Sequence, residues 1–206
     1  MASIASTRDS GRRERVLGAA LEVFGRYGFR KASMDEIARS ADISRQGLYL
    51  HFANKDALFR AAVRQELDTA LGDVSRSLSE EGVGLERRVV AALDAWLGRY
   101  VGSMLAPDIG NLLQNPAMQL GDIVEPARAA FAARLAAAIA AGTSEKERRR
   151  LGVTPEEIAG ALHTVAQGAK YLSNAGAESR EECVGRMTAA VRVVLAGFGT
   201  TATRTP

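Results

Sequence analysis

One cysteine in 206 residues, Cys183, rules out an internal disulfide and fits a reducing, cytoplasmic setting. Alone on a helical stretch, it reads as a small buried apolar residue rather than a nucleophile. Histidine is almost as scarce, with His51 and His163 the two present. With one thiol and two imidazoles, the usual metal clusters and nucleophile–base pairs lack members. No catalytic residue, metal site or cofactor is therefore predicted. Carboxylate pairs do occur, but Glu156-Glu157 stands at a helix start, where acids complement the positive end of the dipole. No apolar run approaches the ~20 residues of a transmembrane helix, so no membrane partner is expected. The opening MASIASTRDSGRRER lacks the apolar segment of a signal peptide, and residues 1–11 are expected as a flexible arm. Strand-like alternation is missing from the second half. What remains reads as an all-helical globular chain, 47% hydrophobic and 25% charged, with ample length for a sizeable core.

The stretch from Ser33 to Phe59, SMDEIARSADISRQGLYLHFANKDALF, organises the rest. Ser33 with Glu36 fits a capping box. The helix that follows puts Met34, Ile37 and Ala38 on one side and Asp35, Glu36 and Arg39 on the other. Ser40-Ala41-Asp42 is the turn, with Asp42 able to adopt the left-handed conformation. Ser44 is the expected N-cap of a second helix, Arg45 to His51. Two short helices joined this tightly are a common DNA-reading unit, the second helix entering the major groove. Ile43, Leu48 and Phe52 anchor that second helix, leaving Arg45, Gln46, Tyr49 and His51 without a buried home. Arg pairs with guanine and Gln with adenine, while Tyr and His bond phosphates. Gly47 suits a place where the backbone approaches another surface closely. Lys55, in the first turn of the next helix, is placed against the macrodipole, which a docked phosphate would offset. Taken singly, each of these residues fits a solvated helical hairpin. Taken together, they favour DNA.

LYLHFANKDALF resembles the signature of the TetR family of one-component transcriptional repressors: Leu-Tyr, then His-Phe or Tyr-Phe, then a Lys opening the fourth helix. SMDEIARSADIS is similar to that family's second helix and turn, except that Asp42 stands where the family usually has Gly. The resemblance covers residues 12–60 well. It implies a three-helix DNA-binding head at 12–60 and a variable helical body at 61–206 for ligand binding and dimerisation. Its partners would be palindromic double-stranded operator DNA, a small-molecule effector and a second copy of the chain. The expected DNA contacts are Lys31, Ser33, Ser44, Arg45, Gln46, Gly47, Tyr49, His51 and Lys55.

Charge is distributed accordingly. Residues 1–60 hold 11 basic and 7 acidic side chains, whereas the remainder holds 16 basic and 17 acidic. The whole positive excess lies where a phosphate backbone would need it. Arg12 to Tyr27 is predicted as the first helix, with Val16, Leu17, Ala20, Leu21, Phe24 and Tyr27 on one face and Gly28 as its stop. From Asn54 a long helix runs to about Glu80 and would join head to body.

The body is predicted as helices over 85–101, 122–141, 154–174 and 179–198, with short helices around Pro107 and Pro116. SEKERRR, residues 144–150, is expected as a solvated connection. Two apolar stripes in the last hairpin, Ile158, Leu162, Val165 and Ala169 with Val184, Met187, Val191, Val194 and Leu195, could complete the chain's own core or pair with a second copy in a four-helix bundle. The resemblance, and the need to hold two heads one DNA turn apart, favour the dimer interface. A ligand cavity is expected among Trp96, Tyr100, Met104, Met118, Phe131, His163, Gln167 and Tyr171, large or mildly polar residues on aliphatic faces. Ordinary core is the plainer account of each one alone. Their Met and aromatic content points to a hydrophobic or aromatic effector. A helical protein-interaction module is the rival expectation, and it leaves the polar face of residues 45–55 without a purpose.

Overall fold

The computed structural model describes residues 2–97, 120–174 and 179–198. All regular structure among them is helical: α1 (Ala2–Lys31), α2 (Met34–Ser40), α3 (Arg45–His51), α4 (Lys55–Leu78), α5 (Leu85–Leu97), α6 (Gly121–Gly142), α7 (Glu145–Leu151), α8 (Pro155–Asn174) and α9 (Arg180–Ala196). The chain divides into two compact units, and α4 contributes its first half to one and its second half to the other.

The first unit is the head. α1 turns Val16, Leu17, Ala20, Val23 and Phe24 inward, against Ile37 and Ala38 of α2, Leu48 of α3, and Leu58, Phe59 and Val63 of α4. Three phenylalanines form its centre. Phe59 meets Phe24 edge-on at 4.9 Å and Phe29 at 5.2 Å between centroids. Such pairs each add about 0.5–1.5 kcal/mol beyond the area they bury. Tyr27, expected inside, is 45% exposed, and Val23 takes the inner position. The predicted stop at Gly28 is a sharp kink: φ is 73°, open to glycine without a Cβ clash, and one further helical turn reaches Lys31.

Two expectations about the head change. Residues 2–11, expected as an arm, belong to α1, because that stretch holds no proline and no glycine before Gly11 to interrupt the helix. The head also does not end at residue 60. It continues to Leu67, and Leu120 and Ile123 return from later in the chain to join its core. Arg60 pairs with Asp122 there.

The second unit is the body. α8 packs on α9, and both pack on α5. Val89, Leu93, Leu162, Met187, Val191 and Leu195 are essentially sealed from solvent, as are Phe131, Leu135 and Ile139 of α6. Arg180 pairs with Asp94 at 2.7 Å, and Arg192 with Glu86 at 3.1 Å, tying α9 to α5. Thr154 and Glu157 form a reciprocal cap at the start of α8, as the Thr-Pro-Glu-Glu run predicts. Cys183 is 1% exposed, the buried apolar role expected of it.

SEKERRR is not merely a solvated connection. It forms α7, and its Arg148 is buried, donating to the backbone oxygens of Ala140 and Thr143 and to Thr143 Oγ1. A guanidinium has five donors, so one side chain satisfies several carbonyls left over at the end of α6.

Candidate nucleic-acid interface

α2 and α3 are fixed by their caps before any tertiary contact is counted. Ser33 Oγ accepts from the Glu36 amide at 3.2 Å and donates to the Glu36 carboxylate at 2.8 Å, which in turn accepts from the Ser33 amide. These bonds, the hydroxyl's first, hold the Glu36 carboxyl below its ordinary pKa. The amide of Ile43 then donates to the Ala38 carbonyl at 3.0 Å, closing the turn over Asp42. Asp42 has φ 53°, the left-handed conformation expected of it, and stands alone among the described non-glycine residues in doing so. Ser44 caps α3 through the Gly47 amide at 3.0 Å.

These bonds revise the parts given to three residues. The Ser33 hydroxyl donates its proton to Glu36, so a phosphate would have to compete for it. Gly47 is explained within the head itself: a Cβ there would lie 3.1 Å from Ser44 Oγ, crowding the cap. Lys55 opens α4, as expected, but its ammonium donates to the carbonyls of Ala32 at 3.0 Å and Arg30 at 3.3 Å and lies 4.6 Å above the Phe29 ring. It caps the end of α1, so a phosphate would have to share it.

The remaining side chains of α3 turn outward. Leu48 and Phe52 are buried and Ile43 packs partly against the core, whereas Arg45, Gln46, Tyr49 and His51 are exposed. Arg45 is held at 3.0 Å from Asp35 of α2 and lies 5.6 Å over the Tyr49 ring. Both partners are solvent-accessible, so the pair contributes about 0–1 kcal/mol and orients the guanidinium more than it stabilises the fold. Lys31, at the end of α1, is exposed. The geometry thus gathers a charged, amide and aromatic face on a helix with an apolar back. Leu50 joins that face at 81% exposure, and the sequence reading omitted it. Its signal was available: two residues from Leu48, it lies 200° around the helix from the buried side.

An open groove of about 210 Å³ lies between α1 and α2, lined by Glu22, Val23, Arg26, Tyr27, Glu36, Arg39 and Ser40. It is smaller and more charged than an ordinary small-molecule pocket.

In the body the expected ligand residues part company. Trp96 stacks on Phe131 at 4.8 Å and 7°, and the His163 ring lies 5.1 Å from Phe131. His163 Nε2 is buried without a hydrogen-bond partner among the described residues, and burial, then the Arg128 charge, lowers its pKa. Gln167 and Tyr171 are exposed, Tyr171 to 74%. Tyr100, Met104 and Met118 lie outside the described residues.

The dimer stripe requires correction. Ile158, Leu162, Ala169, Met187, Val191 and Leu195 are buried within the single chain, and Val184 and Val194 are half-buried. Apolar periodicity marked the face that α8 and α9 turn to their own core. The outward stripes are different: Ala161, Val165, Gly168 and Leu172 on α8, and Gly185, Ala189, Val193 and Ala196 on α9. Val165, 41% exposed, is the member of the predicted set that lies on them. Among the described residues, no helix is long and apolar enough to cross a membrane.

Residues 16–62 match the family model described as bacterial regulatory proteins, tetR family. Over 59 residues the chain is 46% identical to the HTH-type transcriptional regulator UidR of Escherichia coli, covering 29% of this chain and 30% of UidR. Over 99 residues it is 31% identical to the HTH-type transcriptional repressor Rv1474c of Mycobacterium tuberculosis, covering 47% of this chain and 51% of that protein. The chain therefore spans about half or less of the length of these relatives. A TetR-like transcriptional regulator from Rhodococcus sp. RHA1 shares the fold more fully: TM-score 0.63 at 26% identity, over 90% of this chain and 96% of that one.

Proposed function

We propose that the chain is a repressor that binds a palindromic operator as a homodimer, with residues 16–62, which match the tetR family model, as its helix-turn-helix head. The observation that carries this reading is the outward face of α3, where Arg45, Gln46, Tyr49 and His51 are exposed while Leu48 and Phe52 hold the helix to the head. Arg45 and Gln46 would address base edges, and Tyr49, His51, Ser44, Lys31 and part of Lys55 would meet phosphates. Work on chromosomal DNA would place the protein in the cytoplasm.

One head reads one half-site, so two must be held about 34–36 Å apart. The outward small-residue stripes of α8 and α9 suit a four-helix bundle with a second copy. The repressor sense is supported by the name of the Mycobacterium tuberculosis relative. A small hydrophobic or aromatic effector would bind near Trp96, Phe131 and His163, where His163 Nε2 offers a polar group on an aromatic wall. By binding better to a state with the wrong head spacing, the effector would lower operator affinity by the coupling factor between the two sites. Selection of bound duplexes from random DNA at two salt concentrations tests the proposal. A palindromic consensus whose binding falls steeply with salt is expected. No enrichment, with little salt dependence, would leave a helical interaction module instead.

A further inference from the structure

Leu50 is not explained by the packing of the head. Its 81% exposure exceeds that of the other large apolar side chains among the described residues. It follows Gln46 by four residues, so the two share one ridge of α3. Arg45 and Tyr49 form the neighbouring ridge, as their 5.6 Å contact demonstrates. A branched aliphatic side chain thus stands in the middle of a polar surface, flanked in sequence by the exposed Tyr49 and His51.

Phosphate cannot attract this side chain, because it has neither charge nor donor. In the major groove, however, one base presents an apolar group: thymine, through its C5-methyl. Against the edges of guanine, adenine or cytosine, an isobutyl group would strip water from polar atoms and return no hydrogen bond. We infer that Leu50 is a specificity-determining residue, which packs on a thymine methyl at or beside the base pair that Gln46 addresses. The inference rests on the DNA-binding function proposed above and assigns one base preference to one side chain.

The test uses the whole 206-residue chain and the duplex obtained by selection. Each thymidine of the half-site is replaced in turn, symmetrically, by deoxyuridine, which lacks the methyl and keeps the pairing. Wild type and Leu50→Ala are titrated against every duplex. At one position the wild type should lose about fourfold per half-site, the effect of one unburied methyl, or about 15-fold when both half-sites change. Leu50→Ala should be indifferent at that position and match the wild type at the rest. Its exposure makes an unchanged melting temperature the expected control.

A wild type indifferent to every replacement would overturn the inference while leaving DNA binding intact. So would equal losses in both proteins, or a consensus without thymine in the half-site. Failure to retain any duplex at low salt would overturn both this inference and the proposed function.

Discussion

Head and body are built from the same material, amphipathic helices with aliphatic cores, yet they differ in how far a residue's surroundings fix its role. In the head, a polar residue either caps a helix or faces outward, and few have a third option. Ser33, Asp42 and Ser44 each complete a local backbone geometry, so the outward set on α3 is left over by elimination. In the body, a stripe of small and aliphatic residues means the same thing chemically whether it covers its own chain or a second copy. A reading face can thus be recognised from one chain, whereas an assembly face needs burial as well.

Removing the aromatic centre of the head should produce the largest effect. Phe59→Ala, at a site 1% exposed, is expected to lower head stability by about 3–5 kcal/mol and abolish duplex binding. The proposed dimer should persist, because the stripes of α8 and α9 lie in the other unit. Denaturant unfolding with sedimentation checks both parts, and a variant that became monomeric would mean the two units do not stand independently.

An intermediate effect is expected from Val193→Glu. Val193 is 75% exposed, so the protomer should unfold at an unchanged denaturant concentration while the dimer dissociation constant rises at least tenfold, about 1.4 kcal/mol. An unchanged dimer would move the assembly face away from α9.

The smallest effect separates the units by pH. Burial lowers the folded-state pKa of His163 below its ordinary 6.5, so between those two values the unfolded chain binds more protons. Body stability is therefore full above pH 6.5 and falls as pH drops through that window. The capping carboxylate Glu36 of the head has its window lower, below its ordinary 4.5. Its contribution is present above that value and lost beneath it. Unfolding midpoints between pH 7.5 and 5.5 should decline in the wild type and flatten in His163→Gln. Equal slopes would show that the imidazole is not held neutral by burial.

The head was legible in the sequence because its signals are local: Ser33 reaches Glu36 three residues on, and Ser44 reaches Gly47. The start of α8 was legible for the same reason, through Thr154 and Glu157. Pairings beyond the three-residue reach of a helix cap were not. Nothing near Arg148 in sequence announces that it will fold back on the carbonyls of Ala140 and Thr143. Nor does the spacing of Ile158, Leu162, Met187 and Val191 say which protomer covers them. A period marks that a face is covered, and only the fold says by what. Leu50 was missed for another reason: as a leucine beside core residues, it was passed over by residue type, although its angle around α3 places it outside.

The seclusion of Cys183 makes the chain a convenient spectroscopic ruler. The sole native thiol is 1% exposed and would react sluggishly with maleimide or methanethiosulfonate reagents. A cysteine introduced at Ala53 or Asp56, both exposed beside α3, would thus take up a dye or spin label almost exclusively. In a symmetric dimer a single engineered site supplies a label pair. The separation of the two heads could then be followed by energy transfer or dipolar spectroscopy as candidate effectors are added, with no background mutation to the body.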